Sequence, residues 1–279
     1  MKRAAIVVAV LGMSAAWSFG QSSGKPATPA GQQTAPAAEA PQGKRPPQAK
    51  TQPEFDAYKA AVALTDAAAQ EKAVDDFATK FPDSELRPLL YKAVMHSYQQ
   101  VNNADKMMEM ARKVLTSDPD DPEALVGVAQ VLAERTRDTD LDKDQRLAEA
   151  RKDAQRSLVT VDTDIPTANQ PPDKIEAYKG FLRSEAYAIL GTLDFNNKAW
   201  ADSEGNLRKS IDALPQNPDP IAVFRLSVAL DMQSKYPEAL KYANQAVDMT
   251  KPGTNAGDAA RKEKDRLTQL NTGNAAPPK

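Results

Sequence analysis

Residues 219–252 read DPIAVFRLSVALDMQSKYPEALKYANQAVDMTKP, and this stretch narrows most sharply what the chain can fold into. Ile221, Phe224, Leu226, Val228, Ala229 and Leu230 make one apolar helical pattern. Ala239, Leu240, Ala243, Ala246 and Val247 make a second, with apolar positions recurring three and four residues apart. Only a short polar turn separates them. Pro237 sits at the start of the second pattern, in the turn of a helix where a missing N–H costs nothing. Pro252 sits just past its end and stops it. A hairpin of this kind cannot bury its apolar stripe by itself, so it needs similar hairpins stacked beside it.

Such hairpins recur. Phe55, Tyr58, Ala61, Val62 and Leu64 begin a helix, and Val74, Phe77 and Phe81 continue in a second that stops at Pro82. Ser84 is placed to cap the next helix. Leu89, Leu90, Tyr91, Val94, Met95 and Tyr98 then pair with Met107, Met110, Ala111, Val114 and Leu115, closed by Asp118-Pro119. Leu125, Val128, Ala129 and Leu132 pair with Leu147, Ala150, Ala154, Ser157 and Leu158 across an acidic insertion. After a proline-bearing connection at 163–172, a long helix with Tyr187, Leu190 and Gly191 pairs with Trp200, Leu207, Ser210 and Ile211. Residues 257–270 are a highly charged helix suited to cap an open end, and 271–279 are expected to be disordered.

The segments before position 53 are of another kind. Residues 1–20 combine Lys2 and Arg3 with an apolar run from Ala4 to Trp17, shorter than the span of about 20 residues that crosses a bilayer. Ser18 and Gly20 supply small residues for cleavage before Gln21. A signal peptide is expected, with an uncleaved anchor as the alternative. The chain has no cysteine, so neither a cysteine-linked lipid nor a disulfide framework is expected. Residues 21–52 hold six prolines and no Leu, Ile, Val, Met or aromatic side chain, so they read as a disordered Pro/Ala/Gln-rich linker.

The hairpin at 219–252 resembles the tetratricopeptide repeat, a helix–turn–helix unit of about 34 residues. Ala239 and Ala246 stand at that family's small-residue positions, Leu226 at its first-helix leucine, and Leu190-Gly191 repeats its Leu-Gly pair. The first hairpin departs furthest, with Gln70 and Lys72 near the alanine position, and Met107 replaces a small residue in the second. The resemblance covers residues 53–270. It implies an all-α, right-handed solenoid of about five hairpins plus a capping helix. It also implies a non-enzymatic scaffold of the cell envelope, periplasmic or extracellular, that binds a peptide or protein segment in a groove lined by the first helices. By that register the groove residues are Lys92, His96 and Gln99, then Glu123, Val126, Gln130 and Ala133, then Glu185, Ala188, Thr192 and Phe195, and then Ile221, Phe224, Val228 and Asp231.

Composition narrows the chemistry. One histidine rules out a two-histidine metal motif, and no cysteine rules out a Cys–His pair. No phosphate-binding glycine loop or GxSxG elbow is present. No catalytic residue and no cofactor is therefore expected. Loss of Lys2 and Arg3 would leave 34 basic against 38 acidic side chains, so the net charge would pass from −2 to −4, against nucleic acid as a partner. One acidic stretch, 138–149, sets Asp138, Asp140, Asp142 and Glu149 at calcium-loop positions 1, 3, 5 and 12. Lys143 stands where such a loop needs glycine. The alternatives are a structural array with a calcium-binding insertion, or a solvated loop in which Asp142 or Asp144 caps the next helix.

Overall fold

The computed structural model describes residues 44–167 and 170–272. Its eleven helices run in chain order: α1 (Gln52–Val62), α2 (Ala67–Lys80), α3 (Arg87–Gln100), α4 (Ala104–Ser117), α5 (Pro122–Arg135), α6 (Lys143–Thr160), α7 (Pro172–Asn196), α8 (Trp200–Ala213), α9 (Pro220–Asp231), α10 (Tyr236–Met249) and α11 (Asn255–Asn271). Each helix packs on the next, and α5 with α7, α7 with α9 and α9 with α11 also touch. Five hairpins and a final helix thus form a helical stack, consistent with a solenoid. The expected signal peptide, and most of the expected linker and tail, lie outside the described residues.

Local chemistry explains the breaks. Thr51, Asp66, Asn103, Asp121, Asp219 and Thr254 each accept a backbone N–H from the first turn of the helix they precede, satisfying a donor with no partner inside the helix. Ser84 is an exception to expectation. Leu86, not Ser84, is the N-cap of α3, and Ser84 accepts the Leu86 N–H at 3.1 Å instead.

The turns inside three hairpins share one geometry. Asn102, Lys198 and Ser234 take left-handed backbone angles, with φ of 58°, 59° and 60°. The residue after each donates its N–H five residues back along the turn: Asn103 to Tyr98 at 2.9 Å, Ala199 to Asp194 at 2.9 Å and Lys235 to Leu230 at 3.0 Å. This is the bond pattern that closes a helix on a left-handed residue. The repeat is therefore written in the backbone, although the three turn sequences differ. The third hairpin lacks it, because its insertion leads Thr136 out of α5 in an extended conformation.

Small residues set how closely helices approach. In α7 and α8, Gly191 faces Leu207 so tightly that an added Cβ would stand 2.7 Å from Leu207 Cγ. Buried serines in the same seam donate to main-chain carbonyls: Ser203 to Gly191 at 2.9 Å and Ser184 to Ser210 at 2.9 Å. Ser157 of α6 does the same to Pro122 of α5 at 3.0 Å. A hydroxyl that reaches a carbonyl keeps a close contact without leaving a polar atom unpaired.

Two boundaries differ from expectation. Residues 44–50, placed by composition in the disordered linker, are held as an extended strap against the loops between helices. Lys44 N donates to Thr163 O at 3.2 Å, and Lys50 N donates to Glu54 Oε2 at 2.6 Å. The strap's apolar groups are only prolines and Ala49, which packs at the edge of the core, so a hydrophobicity argument misses it. At the other end Asn271 completes α11 and does not begin the tail.

Candidate partner-binding face

Lys92 and His96 sit one turn apart on α3, and so share a face. The α5 N-terminus meets that face. Asp121 caps α5 through Oδ1, 2.9 Å from Ala124 N, and its Oδ2 lies 2.8 Å from Lys92 Nζ. Glu123, in the first turn of α5, pairs with His96 through Oε1 and accepts the Tyr178 hydroxyl through Oε2 at 2.6 Å. Tyr178 comes from the added turns at the start of α7. Three successive first helices are thereby joined through one carboxylate. Acidic groups at a helix N-terminus also complement its dipole.

The electrostatics agree with that geometry. Burial pushes the Glu123 carboxyl up, but His96, Lys92 and Tyr178 pull harder and hold it at about 2. Burial alone would lower His96, and the Glu123 charge more than offsets it, so the imidazole is raised above its ordinary value. Lys92 is raised for the same reason, by Asp121 and Glu123 against its own desolvation. The Tyr178 hydroxyl is driven well above its usual range by burial beside Glu123.

The remaining register residues divide into two groups. Gln99 is exposed, and Gln130 is partly exposed, donating to Glu134 at 3.2 Å. Glu185, Phe224 and Val228 are partly buried, with Phe224 packed beside Val223, Ala246 and Ala260. Thr192 is buried, donating to Ala188 O at 2.7 Å and accepting from Arg225 at 2.8 Å. Asp231 is only 4% exposed and pairs with Arg266 of α11.

The calcium-like stretch does not converge. Asp138 pairs with Lys143 at 2.7 Å, and Asp140 accepts the Arg137 N–H at 2.9 Å. Asp142 is the N-cap residue of α6 without a side-chain bond, and Glu149 turns to Arg112 of α4 at 2.8 Å. Lys143, where such a loop needs glycine, is itself the counter-charge of Asp138. Among the described residues no group of three or more acidic or histidine side chains is arranged to hold a metal.

Sequence reasoning missed Asp121, Tyr178 and Asp194. Asp121 carries a signal, since Asp-Pro precedes a helix. Asp194 is 5% exposed, accepting from Arg151 of α6 at 2.6 Å and Asn206 of α8 at 2.7 Å. Nothing local marks Tyr178 or Asp194, because their partners lie on other helices.

Fold and site together define an all-α helical repeat protein. No protein-family model matches the chain, and no curated protein matches it. Among solved structures it is similar to a chain described as Assembly Chaperone of RpL4 (Acl4) (Residues 1-338). The identity is 11%, the TM-score 0.40, and the match covers 79% of this chain and 97% of that one. No helix among the described residues is long and apolar enough to cross a membrane.

Proposed function

We propose that this protein is a non-enzymatic tetratricopeptide-like scaffold of the cell envelope, exported through residues 1–20, that receives a peptide or protein segment along its first helices. The observation that carries the reading is a set of groove-register side chains left at least partly exposed on three first helices: Gln99 on α3, Gln130 on α5, and Phe224 and Val228 on α9. Polar groups stand on α3 and α5 and apolar groups on α9, as suits an extended or helical segment that offers both. Lys92, His96 and Asp231 spend their charge inside the fold, so they shape this face by fixing the helices.

The test uses photo-crosslinking residues placed singly at Gln99, Gln130 and Val228 of the full chain in cells, with Lys152 of α6 as a control position. A single partner captured at the first three positions and not at Lys152 supports the reading. Equal capture at Lys152, or capture at none, overturns it. Export is tested separately by sequencing the N-terminus of the purified mature protein. A start at Gln21 supports it, and an intact Met1 in the cytoplasmic fraction refutes it.

A further inference from the structure

The strap at 44–50 closes one side of a groove that borders the face just described and shares Lys92 and Asp121 with its polar cluster. Glu85, Pro88 and Leu89 form one wall at the start of α3, Ser117 and Asp118 another at the end of α4, and Asp164 and Pro166 a third between α6 and α7. With the strap's own residues set aside, the lining holds four carboxylates (Glu85, Asp118, Asp121 and Asp164) against one ammonium, Lys92. The strap, KRPPQAK, supplies the missing cations. Lys44 Nζ lies 2.5 Å from both carboxylate oxygens of Asp118 and 3.3 Å from Asp164. Arg45 donates to Glu85 Oε1 at 2.7 Å, and Gln48 N donates to the other oxygen at 3.2 Å. Lys50 Nζ reaches Asp83 O at 2.7 Å.

Two features make this contact reversible. The strap's apolar contacts are small, Ala49 against the core and Pro47 against the groove wall, with no large apolar side chain to anchor it. Its ion pairs are half-buried at Lys44 and Asp118 (36% and 17% exposed) and open at Arg45 and Glu85 (62% and 40%), and pairs with this much access to solvent are screened by salt. What keeps the strap in place is tethering, which gives a linked segment an effective concentration in the millimolar range. The prolines keep it extended at little entropic cost.

We propose that this acidic groove is a recognition site for a short cationic, proline-containing segment of a partner protein, and that residues 44–50 fill it in cis until such a segment displaces them. The site shares Lys92 and Asp121 with the α3–α5 cluster but none of the positions Gln99, Gln130, Phe224 and Val228, so it stands whether or not those bind a partner.

The probe is a fluorescein-labelled peptide of sequence KRPPQAK, titrated against the full chain by anisotropy. The full-length variant K44S/R45S, which leaves the groove intact and weakens the strap, is expected to bind it at least tenfold more tightly than the unaltered chain, because the tethered competitor is disabled. Adding D118N and D164N to that variant should abolish binding, as should raising the salt from about 50 to 500 mM. Equal affinity for the unaltered chain and K44S/R45S overturns the proposal, as does binding that survives D118N/D164N. A second measurement does not depend on the variant folding. Because the chain has no cysteine, Q48C carries a single environment-sensitive dye on the strap. Excess unlabelled peptide should shift its emission as the strap leaves. No shift at millimolar peptide, or a shift that grows with protein concentration and no peptide (exchange of straps between copies), rejects the proposal.

Discussion

The seam between α7 and α8 and the meeting of α3, α5 and α7 solve the same packing problem by opposite means. In the seam, Gly191, Ser184, Ser203 and Ser210 let two helices approach closely, and Leu207, fully buried, fills the remaining space. Its close contacts use hydroxyls bonded to carbonyls, and the one carboxylate, Asp194, sits at its end, accepting from Asn206 of α8 and Arg151 of α6. Across α3, α5 and α7 the helices are joined by Lys92, Asp121, His96, Glu123 and Tyr178. The first solution depends on shape and the second on charge. α7 takes part in both, with its early turns in the polar cluster and its later turns in the dry seam. The two regions should therefore respond differently to cavity, to pH and to a lost partner.

The largest expected effect breaks the seam. Leu207→Ala removes a fully buried side chain and should cost about 2–5 kcal/mol, read from the urea midpoint, because the rigid helices around it collapse only in part. A loss under about 1 kcal/mol would mean that the seam is loosely packed.

Next comes the polar cluster. Glu123→Ala strands His96 and the Tyr178 hydroxyl together and leaves Lys92 with Asp121 alone, so a loss of about 3 kcal/mol is expected from chemical denaturation. The variant H96Q should cost much less, since glutamine still donates to Glu123. Equal costs for the two variants would show that the carboxylate is no hub.

Gly191→Ala probes the seam from the other side. Its new methyl meets Leu207 Cγ and Cδ2, so overpacking of about 1–3 kcal/mol is expected. Pairing it with L207A should recover part of the loss, and strict additivity of the two changes would contradict a shared contact.

The pH profile separates the regions again, by a smaller margin. His96 is raised above its ordinary 6.5 by Glu123, with Lys92 and Asp121 also facing it. Its contribution is thus complete below pH 6.5 and declines as the pH rises through the folded-state value. Glu123 is lowered from 4.5 to about 2, so its contribution is complete above pH 4.5 and lost as the pH falls toward 2. The cluster is expected to be strongest between about pH 4.5 and 6.5. Melting temperatures of H96Q should lack the decline above pH 6.5, and an unchanged profile would remove His96 as its cause.

Smallest is the turn between α9 and α10. Ser234 holds a left-handed conformation that glycine adopts without strain, so Ser234→Gly should stabilise by about 0.5–1 kcal/mol in a thermal melt. A destabilised variant would show that the serine hydroxyl matters more than its backbone angle.

Much of the helical layout was legible in the sequence. The long helix α7 follows from apolar periodicity after the prolines at 171 and 172, and the hairpin at 219–252 splits into α9 and α10 near the expected residues. The acidic insertion was legible as a loop but not in its chemistry. Asp138, Asp140 and Asp142 follow a spacing rule that ignores Lys143, whose ammonium pairs with Asp138. Residues 44–50 were misread because the reasoning weighed apolar burial, whereas Lys44 and Arg45 are held by carboxylates far along the chain.

What the sequence by itself determined is local: where helices start, which stripe of each is apolar, and where aspartate, asparagine, threonine or proline ends one and begins the next. These choices act over about four residues, the reach of a helical hydrogen bond. Only the tertiary structure decided which polar side chains became partners. Tyr178 lies 55 residues from Glu123, and Lys44 lies 120 from Asp164. Such pairs exist because stacked helices bring distant turns to within a few ångströms, and a buried or half-buried charge is stable only where that stacking supplies its counterpart.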